Sequence, residues 1–359
     1  MSKRNYIIPI FVPHKGCPHN CIFCNQKMIT GQEKGLTGRD IDDIIKGYLN
    51  TINKKDANIE IAFFGGSFTA IPKKEQNLYL SIANKYLKRK MVNAIRLSTR
   101  PDYIDNDILN NLKDFGVTIV ELGAQSLDEE VLSFSQRGHS TKDLINAAKL
   151  LKEKGFILGM QLMVGLPKDS EYKSMETVKK AIDLKPDIAR IYPSLVIRNT
   201  YMEQLYNQGE YEPLQLVEAV DISKKMLIKL ENNNIKVIRI GLQPTDDMQL
   251  GKNIIAGPYH PAFRQLVESE IFKDMILHLF HSAKIKDRGK VKITLNPKDY
   301  SNAIGHKRSN MRFFKKEYPD VEIELNNDRH VDLGCILLNT SGIEITLTKK
   351  DYYKLIDII

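Results

Sequence analysis

The sequence is poor in cysteine and contains no tryptophan. Its 359 residues include four cysteines, three of them close together near the start of the chain, and the fourth, Cys335, is interpreted as a buried small residue. So few cysteines argue against a disulfide scaffold and fit a reducing compartment. No run of about 18 apolar residues occurs, which argues against a membrane-spanning helix or a membrane partner. The first residues predict a strand and not a signal peptide, so we expect a cytoplasmic protein.

Acidic residues are scarce in one part of the chain. The formal net charge is +9, from 53 Lys and Arg against 44 Asp and Glu. Between Lys284 and Lys316, eleven basic residues accompany only two acidic ones, so this segment alone accounts for the whole excess. Positive charge confined to one small segment predicts contact with a polyanion.

The three clustered cysteines, Cys17, Cys21 and Cys24, are spaced CxxxCxxC. Three thiols in one short segment can face a single point, and a soft metal centre is the usual reason. An iron–sulfur cluster accepts three thiolates and leaves one iron open, whereas structural zinc prefers four closed ligands. The spacing therefore favours a cluster, with a zinc site completed by His14 or His19 as the alternative.

Apolar runs of strand length alternate with amphipathic stretches of helix length over most of the chain. The runs are almost continuously apolar, which is typical of parallel strands covered on both faces. Glycines at 116 and 155 follow two helical patterns where a helix would end. The alternation predicts an α/β fold with a parallel barrel or partial barrel, whose active site lies at the carboxyl ends of the strands. The predicted strands are 6–13, 58–64, 94–98, 117–122, 158–164, 188–192 and 235–240, and the predicted helices include 73–89, 105–115, 141–154, 214–232 and 262–282.

Glycine-rich and polar motifs follow several of the predicted strands. The second strand ends in Gly65-Gly66-Ser67, where paired glycines allow a ligand to approach the backbone closely. The third strand runs into Ser98-Thr99-Arg100, and the fourth into Gln125 and then Gln136-Arg137-Gly138. The fifth strand contains Gln161. Each motif alone is ordinary loop chemistry, so the information lies in their order.

In this order, and together with CxxxCxxC, the motifs resemble the radical S-adenosylmethionine (SAM) superfamily. Over roughly residues 6–270 the chain is similar to the Elongator catalytic-subunit family, and less closely to the oxygen-independent coproporphyrinogen oxidases. The resemblance implies a radical SAM partial (β/α)6 TIM-type barrel that holds a [4Fe–4S] cluster and SAM. It also implies reductive cleavage of SAM to a 5′-deoxyadenosyl radical, which removes a hydrogen from the substrate.

The resemblance further implies a role for each matching residue. The amides of Gln125 and Gln161 suit the SAM ribose, and the guanidinium of Arg137 suits the SAM carboxylate. Ser67 replaces the usual acid of the glycine motif, and Ser98 stands where relatives often carry Glu. The implied cluster ligands are Cys17, Cys21 and Cys24, and the implied SAM contacts are Gly65, Gly66, Ser67, Ser98, Gln125, Arg137 and Gln161.

The pattern changes towards the end of the chain, and we place a boundary near residue 285, between a barrel of residues 1–285 and a small domain of residues 286–359. The β-α-α-β order predicted over residues 291–325 resembles a KH domain, an α+β fold in which a GxxG turn clamps single-stranded nucleic acid. Here Arg308 takes the place of the second glycine. A basic hairpin that merely packs against its neighbours is the alternative. The expected RNA-binding residues are Gly305, His306, Lys307, Arg308 and Arg312.

Together these patterns predict a radical SAM enzyme that modifies tRNA or rRNA and receives its electron from a donor such as flavodoxin or ferredoxin. The alternatives are a porphyrin-metabolising or other small-molecule radical SAM enzyme, and a non-catalytic RNA-binding protein with a structural cluster. Eukaryotic and archaeal members of the Elongator family carry an acetyltransferase domain after the barrel. We expect a short bacterial form without it, so that acetyl chemistry is not implied.

Overall fold

The computed structural model describes residues 4–12, 17, 21–25, 35–53, 57–242, 248–285 and 289–356. The backbone packs into two compact units, residues 1–215 with 235–259, and residues 216–234 with 260–359. This division differs from the boundary predicted near residue 285, because the helices at 216–232 and 263–282 pack with the C-terminal residues. A change of composition along the chain does not reveal such packing. None of the helices in these described ranges is long and apolar enough to cross a membrane.

The first unit is built on a sheet of seven parallel strands in the order β1-β2-β3-β4-β5-β6-β8. The α/β prediction is confirmed, and the strand predicted at 235–240 adds a seventh member to the six-stranded barrel that the resemblance implied. A short antiparallel pair, β7 and β9, lies outside this sheet. The strands are β1 Arg4–Val12, β2 Ala57–Gly65, β3 Ala94–Thr99, β4 Val117–Gln125, β5 Ile157–Val164, β6 Ile188–Pro193, β7 Val196–Ile197, β8 Lys236–Ile240 and β9 Ile254–Ala256.

Helices connect the parallel strands, and local sequence signals define their ends. Thr37 and Ser140 each begin a helix with a capping box that Asp40 and Asp143 complete. The glycines that follow two helices, Gly116 and Gly155, have φ of 74° and 72°, a conformation that favours glycine. The helices of this unit are α1 Gly38–Thr51, α2 Lys73–Lys88, α3 Asn106–Asp114, α4 Glu129–Phe134, α5 Thr141–Glu153, α6 Glu171–Asp183 and α7 Tyr201–Asn207.

The second unit contains a four-stranded sheet in the order β11-β10-β12-β13. Strands β10 and β11 are parallel and are joined by two helices, which is the predicted β-α-α-β order. The antiparallel β12 and β13 complete the sheet beyond the last predicted strand. The elements are α8 Leu216–Asn232, α9 Phe263–Ser282, β10 Gly289–Leu295, α10 Tyr300–Ile304, α11 Ser309–Glu317, β11 Val321–Asn327, β12 Cys335–Thr340, β13 Ile343–Thr348 and α12 Lys349–Ile356.

Candidate active site

The strand-end residues predicted as cofactor contacts lie at one edge of the seven-stranded sheet. Strand β2 ends at Gly65 and strand β4 ends at Gln125. The N–H of Gly66 donates to the carbonyl oxygen of Val12, the last residue of β1, at 3.1 Å. Because all strands of the sheet are parallel, their carboxyl ends share this edge, where active sites of such folds lie.

The segment that carries Cys21 and Cys24 is fixed by contacts with distant parts of the chain. The N–H of Ile22 donates to the carbonyl of Ser135 at 3.2 Å, and the N–H of Met202 donates to the carbonyl of Ile22 at 2.9 Å. The Ile22 side chain is buried in a core cluster with Met202, and Phe23 packs against that cluster. Tertiary packing therefore holds this irregular segment in place.

The thiols of Cys17 and Cys21 lie beside two buried arginines, Arg100 and Arg137. Nη1 of Arg137 donates to Sγ of Cys21 at 3.1 Å. Burial raises the pKa of the Cys17 thiol, although the Ser67 backbone and the charges of Arg100 and Arg137 act in the opposite direction. A metal ion overcomes such a penalty because it binds the thiolate directly. We call Cys17, Cys21, Cys24, Arg100 and Arg137 the thiol–arginine site.

Both arginines of the thiol–arginine site keep an unused donor. Nη2 of Arg137 donates to the Gly123 carbonyl at 2.6 Å, and Arg100 pairs with Asp102 at 2.9 Å and donates to the Arg137 carbonyl. Nε of Arg137 and Nη1 of Arg100 are buried and have no hydrogen-bond partner within the described part of the chain. Buried donors without an acceptor are costly, so an anion such as the SAM carboxylate fits here. Sequence reasoning assigned no role to Arg100, whose only signal is its position directly after β3.

The side chains of Gln125 and Arg137, two predicted SAM contacts, come close together over Gly123, which has no side chain. A Cβ atom at Gly123 would lie 3.0 Å from Nε2 of Gln125 and 3.3 Å from Nη2 of Arg137. Gln125 itself has a φ of 65°, which is uncommon outside glycine and is often found at functional sites. The absence of a side chain at Gly123 therefore allows the two polar groups to converge.

Ser67, the residue that replaces an acid in the glycine motif, is held by its neighbours. Its Oγ lies 2.8 Å from Oγ1 of Thr99 and accepts a hydrogen bond from the N–H of Arg100 at 3.2 Å. The Ser67 backbone also interacts with the Cys17 thiol. Ser67 thus links the end of β3 to the cysteine segment through both its side chain and its main chain.

Gln161 and Ser98 belong to a second polar cluster, which we call the lumen network. Nε2 of Gln161 donates to Oγ of Ser98 at 3.0 Å and to Oε2 of Glu121 at 3.1 Å. Arg190 of β6 lies over the ring of Phe64 of β2, 5.1 Å from its centroid. Neighbouring strands are about 4.8 Å apart, so side chains four strands apart can meet only across a curved sheet. The lumen network therefore lies on the concave face of the sheet. Its members are Glu60, Arg96, Ser98, Glu121, Gln161 and Arg190.

The charges of the lumen network are almost fully buried. Glu121 is 1% exposed and forms salt bridges with Arg96 at 2.8 Å and with Arg190 at 2.6 Å. Burial alone would raise the pKa of Glu121, but the two arginines hold it below its usual value. Arg96 also pairs with Glu60 at 2.5 Å. Sequence reasoning missed these charged residues, because isolated charges within apolar strands give no sign of their partners.

His139 is a third buried polar group near the arginines. Neither ring nitrogen reaches hydrogen-bond geometry with a residue of the described ranges, although the backbone of Ala124 lies near the ring. Burial, reinforced by Arg137 and Arg100, lowers the pKa of His139 to about 3. The imidazole is therefore uncharged at neutral pH.

The donor set fits an iron–sulfur cluster better than structural zinc. Three thiols beside cationic donors suit a cluster with one open iron, and the buried N–H groups suit an anionic cofactor. No described group of three Cys, His, Asp or Glu side chains is already arranged as a metal site. His14 and His19, the predicted additional zinc ligands, lie outside the described residues.

The predicted RNA-binding residues lie in the second unit, four of them between α10 and α11 and the fifth, Arg312, on α11. Gly305 has a φ of 80°, while Lys307 and Arg308 also have positive φ, at 48° and 63°. Arg308 thus adopts a backbone conformation that favours the glycine it replaces. Lys307, Arg308 and Arg312 are exposed, and the ring of His306 contacts the ring of His260 at 4.8 Å. We call Gly305–Arg308 the KH-like turn.

Comparison with known proteins identifies the class to which this fold and site belong. Residues 11–181 match the Radical SAM superfamily and residues 186–273 match the Radical SAM C-terminal domain. The chain therefore belongs to the radical SAM superfamily. Family membership confirms the predicted cofactors, a [4Fe–4S] cluster and SAM.

Similarity within the superfamily is to Elongator-like proteins, as predicted. The chain is 29% identical over 256 residues to a tRNA uridine(34) acetyltransferase of Methanocaldococcus jannaschii, covering 60% of this chain and 47% of that protein. It is 29% identical to Elongator complex protein 3 of Bos taurus, covering 58% and 46%. The archaeal Elp3 of Methanocaldococcus infernus shares the fold with a TM-score of 0.62 at 22% identity, covering 80% and 69%. The chain spans about half the length of the curated relatives it matches.

Proposed function

We propose that this chain carries out radical SAM chemistry on tRNA, using the thiol–arginine site. The observation that carries the proposal is the convergence of Cys21, Arg137 and Arg100 at the carboxyl edge of the sheet, where two buried guanidinium donors find no acceptor among the residues that the structure describes. Neither a structural cluster nor a folded core requires such donors, since unpaired buried N–H groups reduce stability. They suit a bound carboxylate.

Each part of the site has a role in this proposal. Cys17, Cys21 and Cys24 would hold the cluster, and Arg137 with Arg100 would bind the SAM carboxylate. The bound cluster and SAM supply one electron and a 5′-deoxyadenosyl radical for C–H activation. The curved sheet buries the surrounding groups and thereby excludes water, and a protein such as flavodoxin or ferredoxin would supply the electron.

Gln125 and Gln161 would orient the ribose of SAM. Main-chain groups of Gly65 and Gly66 would lie near the amino group of SAM. Nε2 of Gln161 is already engaged by Ser98 and Glu121, so its carbonyl oxygen is the atom left for a ribose hydroxyl. Ser98 would hold the amide of Gln161 in place, and Ser67 would hold the backbone of Arg100.

The choice of tRNA rests on the relatives. Three of them are tRNA uridine(34) acetyltransferases, which favours tRNA over rRNA, the other predicted RNA substrate. Acetyl transfer is not part of the proposal, because the match covers 47% of the first of these proteins. The exposed basic residues of the KH-like turn and Arg312 would contact the tRNA backbone.

The test of the radical chemistry uses anaerobically reconstituted protein with SAM and a chemical reductant. We expect 5′-deoxyadenosine to form, and the variant Cys21→Ala to form none. Mass spectrometry of tRNA nucleosides from cells with and without the gene should show one nucleoside that depends on the gene. Production of 5′-deoxyadenosine without any such difference in tRNA would favour a small-molecule substrate. No 5′-deoxyadenosine at all would favour a structural cluster.

The test of RNA docking reverses charges in the second unit. We expect Lys307→Glu, Arg308→Glu and Arg312→Glu together to weaken tRNA binding at least tenfold and to reduce its salt dependence. A matched control reverses Lys46, Lys149 and Lys179, which are exposed on helices of the first unit. Equal losses in the two triple variants would show that only net charge matters and would refute the docking role.

A further inference from the structure

Arg239 lies on the same face of the sheet as the lumen network. It is the direct partner of Arg190 in the parallel pairing of β6 with β8, so the two side chains project to the same side. Tyr192, two residues after Arg190 on β6, shares that side as well. Arg239 interacts electrostatically with Tyr192, Arg190 and Glu121, which places it beside the network.

The acceptors of the network are already used by other arginines. Oε1 of Glu121 accepts from Arg96 at 2.8 Å and from Arg190 at 2.9 Å. Oε2 of Glu121 accepts from Arg190 at 2.6 Å and from Gln161 at 3.1 Å. Glu60 is engaged by Arg96. With Arg239 included, three guanidinium groups face two carboxylates.

In the part of the chain that the structure describes, Arg239 is the guanidinium group that has no carboxylate partner once Arg96 and Arg190 have paired with Glu60 and Glu121. No hydrogen bond or salt bridge joins its side chain to any residue in the described ranges, and it is partly buried. Burial lowers the pKa of Arg239 and the like charge of Arg190 adds to this, although Tyr192 and Glu121 act in the opposite direction, so a further anion would stabilise its charge. Within the described ranges, strand β8 is the last strand of the sheet, and Arg239 is only partly buried on it.

Tyr192 supplies a neutral donor next to this cation. Burial raises the pKa of its hydroxyl, which therefore stays protonated at neutral pH. A guanidinium and a phenol together provide the N–H and O–H donors that an oxyanion accepts. A partly exposed aromatic wall, Phe64 with Phe11 at 6.5 Å between ring centroids, lies on the same curved sheet.

We propose that Arg239 and Tyr192 bind a phosphate of the substrate RNA, next to the nucleotide that enters the concave face of the sheet. The inference rests on the proposed function, because it takes the oxyanion to come from a polynucleotide. A charged contact on strand β8 would fix the register of the RNA strand in the site. The lumen network would stay unchanged. Arg239 thus becomes a positioning residue for the substrate, separate from the SAM contacts.

The experiment measures the affinity of labelled bulk tRNA for the full-length protein over a series of salt concentrations, without SAM turnover. We expect Arg239→Gln to weaken binding about tenfold and to reduce the slope of log affinity against log salt by about 0.7 to 0.9, the value for one phosphate contact. Arg239→Lys should keep the slope, since it keeps the charge. Tyr192→Phe should weaken binding but leave the slope unchanged.

Two controls make the result specific. Arg39→Gln removes one positive charge from a side chain that is 91% exposed on α1, and should alter neither affinity nor slope. Thermal unfolding should show that Arg239→Gln is as stable as the parent, since it breaks no hydrogen bond among the described residues.

Unchanged affinity and slope in Arg239→Gln, with tRNA bound normally by the parent, would overturn this inference and leave the proposed function intact. A parent protein that binds no tRNA at any salt concentration would overturn both. Loss of binding together with loss of the folded state would also overturn it, because Arg239 would then be a structural residue.

Discussion

Two polar clusters on the seven-stranded sheet use their arginines in different ways. In the lumen network, Arg96 and Arg190 both form salt bridges with Glu121. In the thiol–arginine site, Nε of Arg137 and Nη1 of Arg100 are buried without an acceptor among the described residues. A saturated buried network stabilises one arrangement, whereas unused donors reduce stability unless a ligand is bound. The salt bridges of the first cluster are therefore structural in character, and the free donors of the second are suited to binding.

The strongest test of this contrast removes the central acid of the lumen network. We expect Glu121→Gln to lower the free energy of unfolding by about 3–5 kcal/mol, because Arg96 and Arg190 would lose their buried counter-charge. Urea unfolding of the protein measures the change. As a control, Asp43→Asn affects an ion pair whose side chains are 91% and 62% exposed, and should cost less than about 1 kcal/mol. Similar losses in the two variants would remove the distinction between the clusters.

The thiol–arginine site should respond in binding more than in stability. We expect Arg137→Lys to weaken SAM binding to the anaerobically reconstituted protein by about 10- to 100-fold, since lysine lacks the fork that reaches several acceptors at once. Equilibrium dialysis measures the affinity, and Arg39→Lys is the matched surface control. If Arg137→Lys binds SAM as tightly as the parent, the carboxylate contact has been assigned to the wrong residue.

The bare backbone at Gly159 offers a smaller test of how tightly the lumen network packs. A Cβ atom there would lie 2.6 Å from Cγ of Glu121, so we expect Gly159→Ala to cost about 1–3 kcal/mol of stability. Gly47, in the middle of α1, has open space around its Cβ position. Gly47→Ala should instead stabilise the protein by about 0.5–1 kcal/mol. Urea unfolding curves measure the change in stability of both variants. Equal changes in the two variants would mean that the lumen network shifts to accommodate the extra methyl group.

The effect expected to be smallest at neutral pH concerns His139, next to the arginines, because its titration alters stability only in acid. Its pKa is lowered to about 3 in the folded chain, from 6.5 for a free side chain, so the unfolded chain binds the extra proton first. Stability should therefore be independent of this group above pH 6.5 and fall as the pH drops towards 3, by at most about 1.4 kcal/mol per pH unit. His139→Gln should remove this part of the slope. Parallel pH profiles for parent and variant would contradict the burial of an uncharged imidazole.

Local sequence patterns were sufficient for much of the fold. Apolar runs predicted β2 to β6 and β8 to within a few residues but missed the short β7, and glycines at 116 and 155 marked helix ends that the structure confirms. These features depend on near neighbours in the chain: side-chain periodicity, capping and positive φ. The CxxxCxxC spacing likewise indicated a metal centre before any contact was known.

The division into units and the polar partnerships could not be predicted in this way. Helix α9 was assigned to the barrel domain, yet it packs with the second unit. Arg100 and Glu121 looked like isolated charges, and only the folded sheet shows that Arg100 joins Arg137 while Glu121 joins Arg96 and Arg190. Their sequence separations carry no signal, because such pairs form only when distant strands lie side by side.

The sequence by itself determined the alternation of strands and helices, the family and the group of three thiols, because each depends on residues that are close together in the chain. The tertiary structure alone decided which charges are neutralised and which remain available. Burial sets that outcome, because a guanidinium far from water must find an acceptor in the fold or in a ligand.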